Sequence, residues 1–224
     1  MVLLSPSVGA LRHLLEICQS YAVAHGLRYN ALKSELMVFK SGSKTYIEIP
    51  VVSLCGTPLC RVNKFKYLGH WVTDNLRDDC DIERECRSLS VRCNLLARRF
   101  ARCTNTVKIT LFKAYCQSFY TCSLWTSYTL RAYSDLRVQY NNTFRVLMGL
   151  PRRCSASGMF AEAHTDDFYA VMRKRCASML ARLRGSSNGM LNVFVDRWDS
   201  PLMYRWVRLH KSPNCIILHT NINF

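Results

Sequence analysis

Beyond residue 78 the apolar side chains fall on one side of a helix. Ile82, Cys86, Leu89, Cys93, Leu96 and Phe100 are spaced 4, 3, 4, 3, 4, the period of a buried helical stripe. Asp78, Asp79 and Asp81 stand at its amino end, where carboxylates suit the helix dipole. Leu111, Tyr115, Ser118, Cys122, Trp125 and Thr129 repeat the spacing. Two successive stripes with a short link predict an antiparallel helix pair. Leu136, Tyr140, Phe144 and Leu147 predict a third helix, stopped by Gly149 and Pro151. Phe168, Met172, Cys176, Met179 and Leu183 predict a fourth over 166–183, broken by Gly185-Ser186-Ser187-Asn188-Gly189. One or two short helices and a loose tail follow, with Trp198 and Trp206. Stripes of this kind must bury one another, so 78–192 is expected to be a helical bundle and 193–224 a helical extension.

The first 77 residues read differently. Val2 to Leu4 is a short apolar strand in this reading. Ser5 is a cap candidate and Pro6 suits a first helical turn. A helix then runs to about His25, with Leu11, Leu14, Leu15, Cys18 and Ala22 on one face. Gly26 is a natural stop. Leu36 to Phe39 reads as a strand, and 45–54 is β-prone. Gly56-Thr57-Pro58 turns that segment into Leu59 to Val62, and Phe65 to Val72 reads as the next strand. The fold class expected for the whole chain is α+β.

The net charge of +16 suits a polyanionic partner. Its placement is uneven. Between 87 and 153 stand Arg87, Arg92, Arg98, Arg99, Arg102, Lys108, Lys113, Arg131, Arg137, Arg145, Arg152 and Arg153, opposed only by Asp135. A solvated helical surface usually mixes signs. Such a one-sided stretch favours nucleic acid as the partner. Arg98, Arg99, Arg102, Lys108, Lys113, Arg152 and Arg153 are clustered and mostly off the apolar stripes, which makes them the candidate phosphate contacts. Some will instead cover apolar surface with their stems.

The 12 cysteines form no CxxC pair, and Cys80-x5-Cys86-x6-Cys93 fits no zinc template. Several fall on helical stripes, where cysteine acts as a small hydrophobe. A reduced, intracellular protein is expected. The longest uncharged run, 114–130, is rich in Ser, Thr and Tyr and is shorter than a membrane span. No membrane partner is expected. Residues 1–11 are apolar but carry no basic leader, so no targeting segment is read there.

Few constellations could carry chemistry. There is no Gly-rich phosphate loop. Asp78-Asp79 and Asp166-Asp167 are the adjacent acids that could hold a divalent ion. Both precede helical patterns, where capping is the stronger reading. No metal site and no small-molecule cofactor are assigned to the chain. Taken alone, Lys33 is a lysine on a turn, Phe65 to Gly69 an ordinary core strand, and His70 a surface histidine at a strand edge.

In order, Gly26-Leu27-Arg28-Tyr29-Asn30-Ala31-Leu32-Lys33-Ser34 and Phe65-Lys66-Tyr67-Leu68-Gly69-His70 resemble the downstream half of a reverse transcriptase of the non-LTR (LINE) retrotransposon type. The stretches Asn94 to Phe100, Val107-Lys108-x-x-Leu111-Phe112-x-x-Tyr115-Cys116, Leu124-Trp125-x-x-Tyr128, Tyr140-Asn141-Asn142-x-x-Arg145 and Leu150-Pro151-Arg152-Arg153 extend it to about Asn192. The resemblance implies a partial palm-like β-sheet with one helix over 1–77. A mainly α-helical, thumb-like bundle would follow, its basic helices lying along the phosphates of a template–primer duplex.

In that family a lysine near the incoming triphosphate can protonate the departing pyrophosphate. Lys33, in the motif with Asn30 and Ser34, matches its position. Phe65, Lys66, Tyr67, Leu68 and Gly69 match the primer-grip hairpin, where a glycine lets the backbone approach nucleic acid closely. Met1-Val2-Leu3-Leu4 matches the strand that follows the catalytic aromatic-x-Asp-Asp, so the chain is expected to begin just after the aspartates and not to polymerise alone. Mg²⁺ and dNTPs belong to the implied parent enzyme, RNA–DNA or DNA template–primer is its partner, and a nucleus is its implied place of work. A basic helical module that binds nucleic acid on its own, or a relic without function, are the alternatives.

Overall fold

The computed structural model describes residues 1–40 and 48–210. They form an α+β chain dominated by helix, with three separate two-stranded ladders. Two compact units divide it. One comprises Met1–Tyr67 and Trp71–Leu76; the other comprises Leu68–His70 and the described residues from Arg77 on.

In the first unit α1 (Val8–Ala24) is capped by Ser7, whose hydroxyl accepts from Ala10 N, rather than by the expected Ser5. Leu15 packs with Val52 and Leu54, surrounded by Leu3, Val8, Leu11, Tyr29, Ala31, Leu36 and Leu59. Gln19 Oε1 accepts from Cys55 N and Arg12 donates to Val51 O, which ties α1 to the following hairpin. That hairpin pairs β2 (Ser53–Leu54) with β3 (Thr57–Pro58). Its turn is Cys55-Gly56, both at positive φ, the two-residue turn whose twist matches the strands. The turn thus lies one residue earlier than expected, and Thr57-Pro58 belongs to a strand.

β1 (Glu35–Leu36) pairs in parallel with β4 (Cys60–Arg61). β5 (Lys64–Tyr67) pairs with β6 (His70–Thr73). Among the described residues of 1–77, the expected single sheet is three short ladders. Val2 to Leu4 pairs with no described strand, and a strand exists only through its ladder. The expected strand 36–39 shrinks to β1 for the same reason. The stretch 65–72 breaks at Leu68-Gly69 into two antiparallel strands. Of the β-prone segment 45–54, residues 45–47 lie outside those described.

In the second unit α2 (Asp79–Arg99) buries Ile82, Leu89, Cys93 and Leu96, and Cys86 and Phe100 pack against the same core. α3 (Asn105–Cys116) ends well before the expected stripe does. Residues 117–129 are irregular apart from a 3₁₀ turn at Cys122–Leu124. Their apolar spacing survives, since Cys116, Phe119, Cys122 and Trp125 are all buried. Their backbone, however, answers to α2. Asp78 accepts from Thr126 N and Ser127 N, and Asp79 accepts from Thr129 N. Asp78 makes no side-chain cap bond to its own helix, so the expected cap is a clamp on a distant segment. Asp167 caps its own helix as expected, accepting from Ala170 N.

α4 (Leu130–Met148) buries Leu136, Tyr140, Phe144 and Leu147 and stops at Gly149 in the left-handed region. α5 (Ala156–Glu162), not foreseen from the sequence, adds Met159 and Phe160 to the core. α6 (Phe168–Arg184) buries Phe168, Met172, Cys176 and Met179. α7 (Gly189–Asp196) and α8 (Pro201–His210) complete the described part of the expected extension. Residues 211–224 lie outside it.

α2 packs chiefly on α4, not on α3, and the two lie parallel. Asp79 meets Thr129 at their amino ends, and Cys93 Sγ contacts Thr143 O fourteen residues further along both. The register is constant at fifty residues, which brings the carboxyl ends of both helices to one end of the bundle.

One side chain in this unit breaks the rule for buried charge. Arg205 on α8 is 1% exposed, and none of its guanidinium nitrogens has a hydrogen-bond partner among the described residues. Replacing a buried ion pair by apolar residues of similar volume is often neutral or stabilising, by about 1–4 kcal/mol, and a buried ion without hydrogen-bond partners has less still to lose. Arg205→Met is expected to raise stability by that order in chemical denaturation; a loss would mean that the guanidinium has a partner in solution.

Candidate nucleic-acid interface

Asn30, Lys33 and Ser34 form one local device. Asn30 Oδ1 accepts from Lys33 N at 3.1 Å, and Ser34 Oγ donates to Asn30 O at 2.9 Å. The result is a 3₁₀ turn at Ala31–Lys33 that leaves the Lys33 side chain exposed. This turn, the segment Met1 to Leu4, and Phe65, Lys66 and Tyr67 of β5 line one cavity of about 860 Å³ within the first unit. Leu11, Leu15, Leu36 and Leu54 form part of its apolar wall. An exposed ammonium, a hairpin strand and an apolar floor thus share one cleft.

Leu68 and Gly69 turn the hairpin, at φ 46° and 86°. Leu68 is 75% exposed. In β5 Phe65 is half-buried, while Lys66 and Tyr67 are exposed. His70, read from sequence as a surface histidine, is largely buried in the second unit. Its Nδ1 lies 3.1 Å from Asp81 Oδ2 and its Nε2 3.7 Å from Asp78 Oδ1.

Asp81 is the centre of that network and sequence reasoning missed it. It is fully buried. Trp125 Nε1 donates to it at 2.8 Å, Thr121 Oγ1 at 2.5 Å and Arg84 Nε at 2.7 Å. Arg84 continues to Glu85, which also pairs with Arg92. Burial alone would raise the Asp81 carboxyl; the bonds from His70, Arg84, Thr121 and Trp125 outweigh it and hold the group well below the usual carboxylate range. Asp78 goes the other way, because burial exceeds the help from Ser127 and Thr126 N–H. The available signal was Asp81 itself, a third acid within four residues at a helix start.

The candidate phosphate contacts sort into two groups. Lys113 Nζ donates to His164 O. Arg98, Arg99, Arg102, Arg152 and Arg153 are exposed and make no ion pair or side-chain hydrogen bond among the described residues. Arg98 and Arg99 end α2, Arg102 follows it, and Lys108 lies in the first turns of α3. Arg152 and Arg153 follow α4, in a loop that Arg145 folds back by donating twice to Cys154 O. The fifty-residue register of α2 and α4 therefore gathers all six cations at one end of the bundle. No Asp or Glu occurs in 97–110 or in 136–161. Arginines at helix carboxyl ends also complement the helix dipoles, but two helices need fewer than six.

The adjacent acids do not fit a pair of magnesium ions. Asp78 and Asp79 hold backbone N–H groups, Asp166 pairs with Lys174, and Asp167 caps α6. Among the described residues no group of three or more His, Cys, Asp or Glu could hold a metal. Every described cysteine is a free thiol, and burial pushes Cys116 and Cys122 up to about 12, which makes them inert. No described helix is long and apolar enough to cross a membrane.

Comparison with protein-family models, with curated proteins and with solved structures gives no significant match.

Proposed function

We propose that this chain holds the template–primer in an RNA-directed DNA polymerase of the non-LTR retrotransposon type. In this reading the first unit is palm-like and the helical unit thumb-like. The basic end of the bundle grips the phosphates, and the cleft of Lys33, Phe65, Lys66 and Tyr67 receives the primer's 3′ end. Lys33 stands ready to supply a proton to a departing pyrophosphate. The sequence contains no aromatic-x-Asp-Asp and its paired acids do not fit magnesium, so no nucleotide-joining step is assigned to this chain. The observation that carries the reading is the gathering of six cations, from two separate stretches of chain, at one acid-free end of the bundle.

A stand-alone basic binder is the second reading, favoured by the helical unit's own extensive core. The two differ in what they prefer. The full chain is expected to bind an RNA–DNA hybrid with a recessed 3′ end more tightly than a blunt hybrid of equal length. Equal binding to both, with a steep salt slope, would leave only the stand-alone binder.

A further inference from the structure

The first unit holds a second cavity, of about 820 Å³, within the usual range of ligand sites, roughly 300–1,000 Å³. Arg61, Lys64 and Lys66 line it, with Phe65 and Trp71, and all three cations are exposed. The lining acids are Glu35 and Asp74. Asp74 is spent on Lys40, at 2.7 Å, so Glu35 stands against three cations. Trp71 of β6 is half-buried, and Lys64 Nζ of β5 lies 5.4 Å from its ring centroid.

A lysine over an indole is an ordinary contact across a strand pair. Here the ring and three cations line one cavity. That pairing suits an unpaired nucleic-acid strand, which offers a base face to an aromatic and phosphates to positive charge. A duplex keeps its base faces in its own stack, a small anion needs no ring, and an apolar ligand needs no cations. Phe65 and Lys66 line the candidate primer cleft as well, so β5 is common to both cavities. At a recessed 3′ end the template runs on, unpaired, past the primer terminus. A terminus received in the cleft therefore releases the template beside the second cavity.

We propose that this second cavity takes the unpaired template strand, with a base stacked on Trp71 and phosphates on Arg61 and Lys64. Calling that strand the template rests on the primer-holding reading; the cavity's fit to an unpaired strand does not.

The test uses the full chain and RNA–DNA hybrids that share one recessed 3′ end and differ in template overhang, a single nucleotide or roughly eight. Wild type is expected to bind the long overhang roughly tenfold more tightly than the short one, and to lose that gain when the overhang is abasic. Trp71→Leu is expected to lose the gain and Trp71→Phe to keep most of it. Arg61→Gln combined with Lys64→Gln, both at exposed positions, reads the site even if Trp71→Leu fails to fold. It is expected to lower the salt slope on the long overhang by about 1.4, at about 0.7 for each phosphate contact on a single strand, and to leave the short-overhang slope unchanged. Lys66 is kept, because it lines the cleft too. Equal binding of both overhangs, a gain that survives in the abasic overhang or in both variants, or equal weakening of Trp71→Leu on a blunt hybrid would overturn the inference. A preference for the short recessed end over the blunt hybrid would then still support the primer-holding reading. A gain that depends on Trp71, without that preference, would uphold the cavity as a single-strand site and overturn the primer-holding reading.

Discussion

Replacing Asp81 by alanine is expected to lower the stability of the chain by about 3–5 kcal/mol, the cost of removing one partner from a buried ionic network. The change leaves Arg84 without its Nε acceptor, Trp125 Nε1 and Thr121 Oγ1 without theirs, and His70 without the oxygen 3.1 Å from its ring. Each such group has already given up its water. Asp78→Asn is the contrast, since an amide oxygen can still accept from Thr126 N and Ser127 N, and its effect is expected to be well under half as large. Chemical denaturation of both variants, followed by tryptophan fluorescence, checks the pair.

The same network sets a pH dependence. Asp81 has its folded pKa depressed below an unfolded value of about 3.9. Its contribution is therefore complete above about pH 5 and is lost as the pH falls through the unfolded value toward the folded one. Asp78, raised in the fold, contributes in the opposite sense over its own range. Wild type is expected to weaken on acidification below about pH 5, and Asp81→Ala to show a shallower acid limb.

The second large effect is on binding. Changing Arg98, Arg99, Arg102, Arg152 and Arg153 together to glutamine removes five candidate phosphate contacts. Each contact contributes about 0.9 to the slope of log affinity against log salt, so the slope is expected to fall by roughly 4–5. At about 0.1 M salt the same five contacts correspond to a loss on the order of 10⁴-fold. Arg84→Gln and Arg92→Gln, spent on Asp81 and Glu85, are expected to leave the slope unchanged. All five gathered arginines are exposed and unpaired among the described residues, so the multiple variant should fold. A slope unchanged in that variant would remove the basic end from the interface.

How far these features could be read in the sequence varied with the distance between the residues that make them. The stripes of α2, α4 and α6 were legible because burial is coded by neighbours three and four apart. Residues 117–129 were not. Their apolar spacing continues that of a helix, but their backbone N–H groups bond to Asp78 and Asp79, about fifty residues away. The hairpin turn at Leu68-Gly69 was hidden because a leucine at positive φ gives no local warning. The separate charges of the basic end were legible, but their gathering was not, since it depends on α2 and α4 lying parallel across an intervening helix. Lys33 with the 65–69 segment was marked only through the resemblance; the cleft that Lys33 shares with Phe65, Lys66 and Tyr67 is a fact of the fold. Arg205 was invisible, because an arginine within a helical pattern reads as a surface residue.

The most direct test of the primer-holding claim is a crosslink from the primer itself. A photoreactive nucleotide is placed at the recessed 3′ terminus of an RNA–DNA hybrid, irradiated with the full chain, and the modified peptide is mapped. The account predicts attachment within the Phe65–Tyr67 segment, together with protection of the Arg98–Arg102 and Arg152–Arg153 stretches along the duplex. Attachment confined to those basic stretches, and equally efficient from an internal position of the primer, would contradict it.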